Sequence, residues 1–273
     1  MATLLTEARP KKRRRKPTAP VPRLPRIKLL EGDGEPLESE WHVYQMALLL
    51  ELVRHYWSER DDFFCAANMF VYYSLHQARA IKKGSRSAFR GPDFFIVTGV
   101  DGRKPRKYWV AWEEDGKYPD LVVELLSPTT ADYDKHEKKE FYAKVFHTYE
   151  YFWFDGGHDF AGFRLMGEEY VPIEPNEHGW LWSEVLGAYL GVWEGLYQGR
   201  RYRWLRLFQQ NGEIVPTHAE RAEAERQRAE QAMQQAEAER QRAEQALQQA
   251  EAERQRAEQL AQRLRELGVE PDG

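Results

Sequence analysis

A tandem repeat near the C-terminus restricts the fold of this chain more than any other feature. Fourteen residues, AEAERQRAEQAMQQ at 222–235, recur with one change at 236–249, and a third copy begins at Ala250. No Gly or Pro interrupts residues 219–267, and Ala, Glu, Gln and Arg favour helix. We therefore predict a long helical tail over residues 217–273, which leaves the preceding residues to form any globular core.

Each repeat spans two heptads, so the helical tail has the periodicity of a coiled coil. Glu239 and Arg240 interrupt the rows that flank the apolar seam, and the other repeats carry the same interruption. Two interpretations follow. The tail forms a weak coiled coil that joins two copies as a homodimer, or it is a single solvated helix stabilised by Glu–Arg pairs. The seam itself is formed by alanines at every seventh position, namely Ala229, Ala236, Ala243, Ala250 and Ala257.

The opposite end of the chain is a basic, proline-rich arm. Residues 1–30 hold ten Lys or Arg and five Pro against one Glu, in a chain whose formal net charge is −4. Proline disfavours helix and removes backbone donors, so we predict a disordered arm over these residues. Such an arm can bind the phosphates of DNA, or it can simply act as a solubilising tail.

The composition excludes several classes of protein. A single cysteine, Cys65, permits no intrachain disulfide and no multi-cysteine zinc site. The chain has no apolar run of membrane-spanning length and no apolar secretion core near its start, so we expect a cytoplasmic protein without a membrane partner. It also lacks the HExxH, GxSxG, GxGxxG and GxxxxGKS/T motifs of several enzyme classes.

Between the arm and the repeat, residues 31–216 carry helical and strand patterns in turn. Ser39 predicts the start of a first helix over residues 41–57, and a second helix is predicted over 131–147. This order favours an α/β domain, a mixed sheet flanked by helices, over an alternating parallel barrel. Apolar or alternating runs predict strands at 63–74, 93–98, 107–113, 121–126, 150–155, 160–166, 169–173 and 202–208.

Two acidic residues belong to strongly apolar strands. Asp93 precedes the run at 94–97, and Glu124 lies inside the run LVVELL at 121–126. Burial of an isolated carboxylate is unfavourable unless a cation or a donor offsets it, so Glu124 is a candidate site residue on energetic grounds. Asp120 shares the face of Glu124, but its place at the start of the strand is typical of a solvated turn.

A lysine of the second helix completes a plausible site. Lys138 lies three and four residues before Phe141 and Tyr142, which places it on the packed side, although Lys139 is a near-equal choice by periodicity. Two carboxylates and an inward lysine suit metal-assisted hydrolysis of a phosphodiester: the carboxylates bind Mg²⁺, with Mn²⁺ as a substitute, and the lysine stabilises developing charge. Alternatively, the acidic pair is purely structural and is neutralised by Lys or Arg.

Several motifs in this order resemble the Uma-type family of bacterial restriction endonucleases, part of the PD-(D/E)xK nuclease superfamily. The resemblance covers about residues 29–210. It is carried by GDGEP at 32–36, GPDFFIV at 91–97, YPDLVVELLSP at 118–128, the spacing Asp134-x3-Lys138-x3-Tyr142, EYFW at 150–153 and SEVLG at 183–187.

The resemblance implies a restriction-endonuclease-like core and roles for individual residues. Asp93 matches the PD aspartate, and Glu124 matches the acidic residue of the second motif. Leu126 stands where most of the superfamily has lysine, and this family is expected to take its lysine from the following helix, which matches Lys138. A glutamate of the first helix often joins the metal site in the superfamily. Glu40 is the candidate third metal ligand here, and the other choice is Glu51.

The sequence therefore predicts a metal-dependent endonuclease that hydrolyses DNA. In this interpretation Asp93, Glu124 and Glu40 hold Mg²⁺, and Lys138 stabilises the attacking water and the transition state. The basic arm adds affinity for DNA, and the tail pairs two subunits. The alternative is a catalytically silent nuclease-like fold that acts as a nucleic-acid-binding or protein-interaction module through its coiled coil.

Overall fold

The computed structural model of the protein describes residues 39–85 and 90–266. The predicted disordered arm at 1–30, the GDGEP motif at 32–36 and the last residues of the predicted tail lie outside the described residues. No helix in the described ranges is long and apolar enough to cross a membrane.

A six-stranded mixed sheet lies at the centre of the domain, as predicted from the sequence. The described residues form eleven strands: β1 (Phe63–Ala67), β2 (Val71–Tyr72), β3 (Phe94–Thr98), β4 (Trp109–Val110), β5 (Leu121–Leu125), β6 (Glu150–Phe154), β7 (Phe160–Met166), β8 (Glu169–Pro172), β9 (Leu181–Ser183), β10 (Ala188–Tyr197) and β11 (Arg200–Phe208). The order in the central sheet is β1-β3-β5-β6-β7-β8. β5 and β6 are parallel, and the other neighbouring pairs of this sheet are antiparallel.

Helices cover both faces of the central sheet, which confirms the predicted fold class. Helix α1 (Glu40–Tyr56) begins at Ser39, whose side chain accepts a hydrogen bond from His42 N as an N-cap. It packs on the face that carries Phe94, and the connection from β5 to β6 packs on the opposite face, with Phe95. Neighbouring residues of a strand point to opposite faces, so the apolar run of β3 serves both cores.

The connection from β5 to β6 is a helical segment at residues 131–146, here called the site helix. Its α-helical turns, Ala131–Tyr133 and Lys139–Phe141, alternate with π-helical turns at Asp134–Lys138 and Tyr142–Phe146. The predicted helix is therefore present, but its π turns have no signature in the sequence. Wide turns of this kind are frequent at functional sites because they shift the direction of side chains.

A second, three-stranded sheet covers the outer side of α1. Its order is β11-β10-β9, and all of its pairs are antiparallel. The buried side chain of Gln45 joins it to α1: Gln45 Nε2 donates to Leu205 O at 3.1 Å, and Leu205 N donates to Gln45 Oε1 at 2.8 Å. Helix α1 therefore lies between two sheets, and it carries apolar residues on more than one side.

A small lobe interrupts the predicted strand at 63–74. Asn68 has a φ of 46°, a left-handed conformation that ends β1, and the chain then forms β2, which pairs in parallel with β4. Helix α2 (Leu75–Lys82) follows, and no helix was predicted there. The single strand predicted at 63–74 is therefore wrong, because a turn divides it.

The C-terminal repeat forms one helix at His218–Glu266, here called the C-terminal helix. Most of its length is exposed, but its first turn contacts the domain. Arg206, which is fully buried, lies 2.7 Å from Glu220 Oε2 through its Nη2 atom and also donates to Val215 O. This ion pair attaches the C-terminal helix to β11.

Candidate active site

The strand register brings Asp93 and Glu124 to the same edge of the central sheet. Phe94 of β3 is opposite Val123 of the antiparallel β5. Asp93, just before Phe94, therefore lies beside Glu124, just after Val123. Asp93 Oδ2 accepts a hydrogen bond from Leu125 N at 2.7 Å, and Asp93 N donates to Glu124 Oε2 at 3.4 Å. The two carboxyl groups are therefore neighbours.

The site helix adds Lys138 to this pair. Lys138 Nζ lies 3.1 Å from Glu124 Oε2 and 2.6 Å from Asp134 Oδ1. Lys139, the other choice from periodicity, points elsewhere: its Nζ lies 3.2 Å from the centre of the Phe163 ring. Of the two lysines, the structure brings Lys138 to the carboxylates.

Two further residues of the cluster were not among the predicted site residues. Asp134 forms the ion pair with Lys138, and Tyr142 Oη donates to Glu124 Oε1 at 2.8 Å. The spacing Asp134-x3-Lys138-x3-Tyr142 contains the signal, because residues four apart share one face of a helix. That spacing supported the family resemblance, but it was not used to assign roles to Asp134 and Tyr142.

The cluster is buried at its base and open at one side. Glu124 is fully buried, Asp134 is 1% exposed and Tyr142 is buried, whereas Asp93 is partly exposed. The side chain of Lys138 is 19% exposed. Asp93 and Lys138 are therefore the members of the cluster nearest to solvent.

Burial dominates the electrostatics of the two carboxyl groups. Removal from water raises the pKa of Asp93 and raises the pKa of Glu124 well above its usual value, although Lys138 opposes both shifts. Burial alone would lower the pKa of Lys138, but the carboxylates of Glu124, Asp134 and Asp93 raise it above the usual value. Lys138 is therefore an ammonium ion at neutral pH, and a further cation would favour ionisation of the carboxyl groups.

Three carboxyl groups face a single ammonium ion in this cluster. When Asp93, Glu124 and Asp134 are all ionised, the negative charge exceeds that of Lys138, and a proton or another cation must offset it. Asp134 Oδ1 is buried, and its polar contact is the ion pair with Lys138. The donor set is thus rich in hard, partly uncompensated oxygen atoms.

These residues fit a Mg²⁺ ion. Proteins commonly bind Mg²⁺ through one or two carboxylates, and water and substrate phosphates complete its coordination. Asp93 and Glu124 are two neighbouring carboxylates of this kind, and Asp93 is partly exposed. In residues 39–85 and 90–266, no group of three or more His, Cys, Asp or Glu side chains is placed to hold a metal ion.

The first-helix glutamates lie away from this cluster. Glu40 is half-exposed and pairs with Arg200, whose Nε atom lies 2.6 Å from Glu40 Oε1. Glu51 accepts hydrogen bonds from Tyr197 Oη at 3.0 Å and from His218 N at 2.7 Å. The structure therefore brings neither glutamate to Asp93.

Asp120 and Cys65, two other residues considered from the sequence, have contacts or burial typical of structural roles. Asp120 Oδ2 accepts hydrogen bonds from Thr98 N at 2.6 Å and from Thr98 Oγ1 at 2.8 Å, which fixes the start of β5 against the end of β3. Cys65 is buried in β1, and burial raises the pKa of its thiol. A buried thiol that resists ionisation is a poor nucleophile.

Comparisons with known proteins place this chain in one family of proteins. The sequence profile of the Uma2 family, described as "Putative restriction endonuclease", matches residues 16–198. No curated protein matches the chain. One solved structure that matches is described as a putative nuclease belonging to DUF820 from Anabaena variabilis. It has 10% sequence identity and a TM-score of 0.40, and the match covers 59% of this chain and 86% of that one.

Proposed function

The chain belongs to the Uma2 restriction endonuclease family, and from this premise we propose that it is a metal-dependent endonuclease that hydrolyses the phosphodiester bonds of DNA. One observation carries the proposal. Asp93, Glu124 and Lys138 come from three separate elements and meet at one partly open edge of the central sheet. A purely structural ion pair does not require a third acidic group or an opening to solvent.

In this proposal Asp93 and Glu124 hold Mg²⁺, for which Mn²⁺ can substitute. When bound, the ion polarises the phosphate and lowers the pKa of an attacking water. Leu125 N donates to Asp93 Oδ2, so the backbone of β5 sets the direction of that carboxylate. Tyr142 donates to Glu124 Oε1 and fixes the second carboxylate in the same way.

Lys138 has a separate role on the substrate side of the cluster. Its side chain is 19% exposed, and its ammonium group stabilises negative charge that develops on the phosphate and on the attacking water. Asp134 holds this ammonium group from the preceding turn of the site helix, so it is a positioning residue. Burial of the cluster strengthens these interactions because the local dielectric is low.

Cleavage of supercoiled plasmid DNA in Mg²⁺ or Mn²⁺ tests the proposal. We expect metal-dependent nicking or linearisation that Asp93→Asn and Lys138→Met abolish and that Lys139→Met, a matched lysine substitution one residue away, leaves intact. Equal cleavage by all variants would assign the activity to a contaminant. No cleavage of DNA or RNA by the folded protein would favour a silent nucleic-acid-binding or protein-interaction module instead.

We also propose that the C-terminal helix joins two copies of the chain. Met233, Leu247 and Leu260 are large apolar side chains, each more than half exposed, and they extend the alanine seam of this helix. Pairing of two seams would cover them and would supply two active sites, one for each DNA strand. Sedimentation equilibrium tests this: the full chain should be a dimer, and a chain that ends at Arg226 should be a monomer.

A further inference from the structure

A segment with no acidic residue leads directly into the candidate active site. Residues 63–92 contain no Asp or Glu, although the whole chain has 44 of them and a net charge of −4. The same segment contains five Lys or Arg. Asp62 and Asp93 are the acidic residues on either side of it. The segment without acidic residues therefore begins at β1 and ends at the candidate active site.

The part of this segment between β1 and β3 begins and ends beside Asp93. Asn68 N donates to Asp93 O at 3.0 Å, and Val71 N donates to Arg90 O at 2.7 Å. Helix α2 (Leu75–Lys82) forms the outer part of the excursion between these two contacts. The helix is therefore attached to the strand end that carries the first carboxylate of the cluster.

Side-chain contacts fix α2 relative to the site helix. Gln77 Oε1 accepts from Tyr73 N at 2.9 Å, and Gln77 Nε2 donates to Val71 O at 3.1 Å, which secures the start of α2 against β2. The ring of Tyr73 then packs edge-on against Phe141 of the site helix, with ring centres 5.2 Å apart. One buried glutamine and one aromatic contact thus connect α2 to the helix that carries Lys138.

The exposed face of α2 is basic. Gln77, Ala78 and Ile81 are buried, and the helical period places the basic residues on the opposite side. These basic residues are all exposed, and they are His76, Arg79, Lys82 and Lys83.

The cations of α2 are also uncompensated. No ion pair joins them to a carboxylate of the described residues. By contrast, the basic residues of the β3–β4 loop have acidic partners: Arg103 pairs with Asp61, and Lys104 and Arg106 both pair with Glu114. The surface of α2 therefore offers positive charge that no carboxylate of residues 39–85 or 90–266 neutralises.

We propose that this exposed face of α2 binds the phosphate backbone of duplex DNA next to the bond that the active site cleaves. The choice of DNA as the partner rests on the proposed function. Exposed lysines and an arginine on one helix face suit contacts to phosphate rather than to bases, so the contacts would hold the duplex without selecting a sequence. Each such contact releases condensed counterions, which makes binding weaken with salt.

The test compares DNA binding by two full-length variants that lose the same charge. The first removes the charges of α2 through Arg79→Gln, Lys82→Gln and Lys83→Gln. The control removes three exposed arginines of the C-terminal helix that form no ion pair within the described residues, through Arg228→Gln, Arg242→Gln and Arg256→Gln. The probe is a fluorescein-labelled DNA duplex of mixed sequence, followed by anisotropy in EDTA over a range of KCl concentrations, with circular dichroism to verify folding.

We expect the α2 variant to bind the duplex about tenfold more weakly at moderate salt, with a salt-dependence slope smaller by about 2 to 3, while the control binds like the native chain. Equal weakening of both variants would assign the effect to net charge and overturn the proposal. Native binding by the α2 variant would also overturn it.

This experiment separates the proposal from the proposed function because EDTA prevents metal-dependent cleavage. If the native chain cleaves no DNA but the α2 variant alone loses binding, the nuclease function fails and the binding surface stands. If the native chain cleaves plasmid DNA and the α2 variant binds normally, the function stands and the binding surface is refuted.

Discussion

Asp134 and Lys138 form an ion pair within the site helix, with Asp134 Oδ1 2.6 Å from Lys138 Nζ, and the pair is closer than the contact from Lys138 to Glu124 at 3.1 Å. The lysine is therefore held from its own helix as well as from the sheet. If a ligand draws Glu124 away from the ammonium group, Asp134 still retains Lys138 in place. In the proposed function, Asp134 would therefore keep Lys138 available to the substrate while Asp93 and Glu124 bind the metal.

Asp134→Asn should reduce the DNA cleavage rate by about tenfold to a hundredfold, the range found when a residue that orients a site group is removed. The KM for DNA should change little, because Asp134 is buried behind Lys138. Glu137→Gln is the matched control, since it makes the same chemical change at an exposed position of the same helix. Steady-state kinetics on a nicked-product assay measures both, and similar losses in the two variants would contradict the role of Asp134.

Lys138→Met should reduce the rate constant for cleavage by about a hundredfold or more, because it removes the positive charge nearest the reacting phosphate. Lys139→Met should retain most of the activity, since Lys139 lies over the Phe163 ring and not beside the carboxylates. Single-turnover cleavage with protein in excess compares the chemical step in both variants. A larger loss from Lys139→Met would reverse the assignment.

In the absence of divalent cations, the contribution of Glu124 to the free energy of unfolding should fall as the pH rises above about 4.5. The sign follows from Glu124, whose pKa is raised above 4.5 by burial in the folded protein, so that the folded state holds a proton that the unfolded state has released. The contribution is present below the unfolded pKa and is lost as the pH rises through the folded pKa. Burial raises the pKa of Asp93 in the same direction.

Urea unfolding at several pH values in EDTA measures this trend. Glu124→Gln should weaken the pH dependence, because the amide has no proton to lose, and Glu137→Gln should leave it unchanged. Addition of Mg²⁺ should stabilise the native protein more at the higher pH than at the lower, since the ion binds the ionised carboxylates. A pH dependence that Glu124→Gln leaves intact would assign it to other groups.

The first turn of the C-terminal helix should be required for stability, and the rest should not. Arg206 is fully buried and pairs with Glu220, so loss of that carboxylate leaves an uncompensated buried charge, worth about 3 kcal/mol or more. A chain that ends at Pro216 should therefore unfold well below the native temperature, and one that ends at Arg226 should unfold near it. Calorimetry decides between them, with Glu220→Gln and Glu230→Gln as a matched pair of single substitutions.

The strands that form the site could be predicted because their sequence signal is local. The apolar runs after Asp93 and around Glu124 determine β3 and β5, and the antiparallel register then brings the two acids together. The position of Lys138 also has a local signal, because Tyr142 lies on the same face of the site helix. The role of Asp134 could have been inferred from the same spacing.

Other parts of the fold depend on contacts between distant segments. β10 was not predicted as a strand because Gly191 and Gly195 interrupt its apolar pattern, yet a side chain at these positions would overlap the rings of Trp180 and Trp193. Glu40 fits a metal ligand by sequence, but it pairs with Arg200, 160 positions away along the chain. No local pattern indicates such partners.

The attachment of the C-terminal helix has a mechanical consequence. The helix has 49 residues and extends about 74 Å at the usual rise. Its first turn is fastened at two points, to β11 through Arg206 and to α1 through the hydrogen bond from His218 N to Glu51. Because both attachments are at its base, a force applied at the far end of this helix would act on β11 and on α1. At the other end of α1, His42 Nε2 donates to Leu125 O. The backbone N–H of Leu125 in turn donates to Asp93 Oδ2.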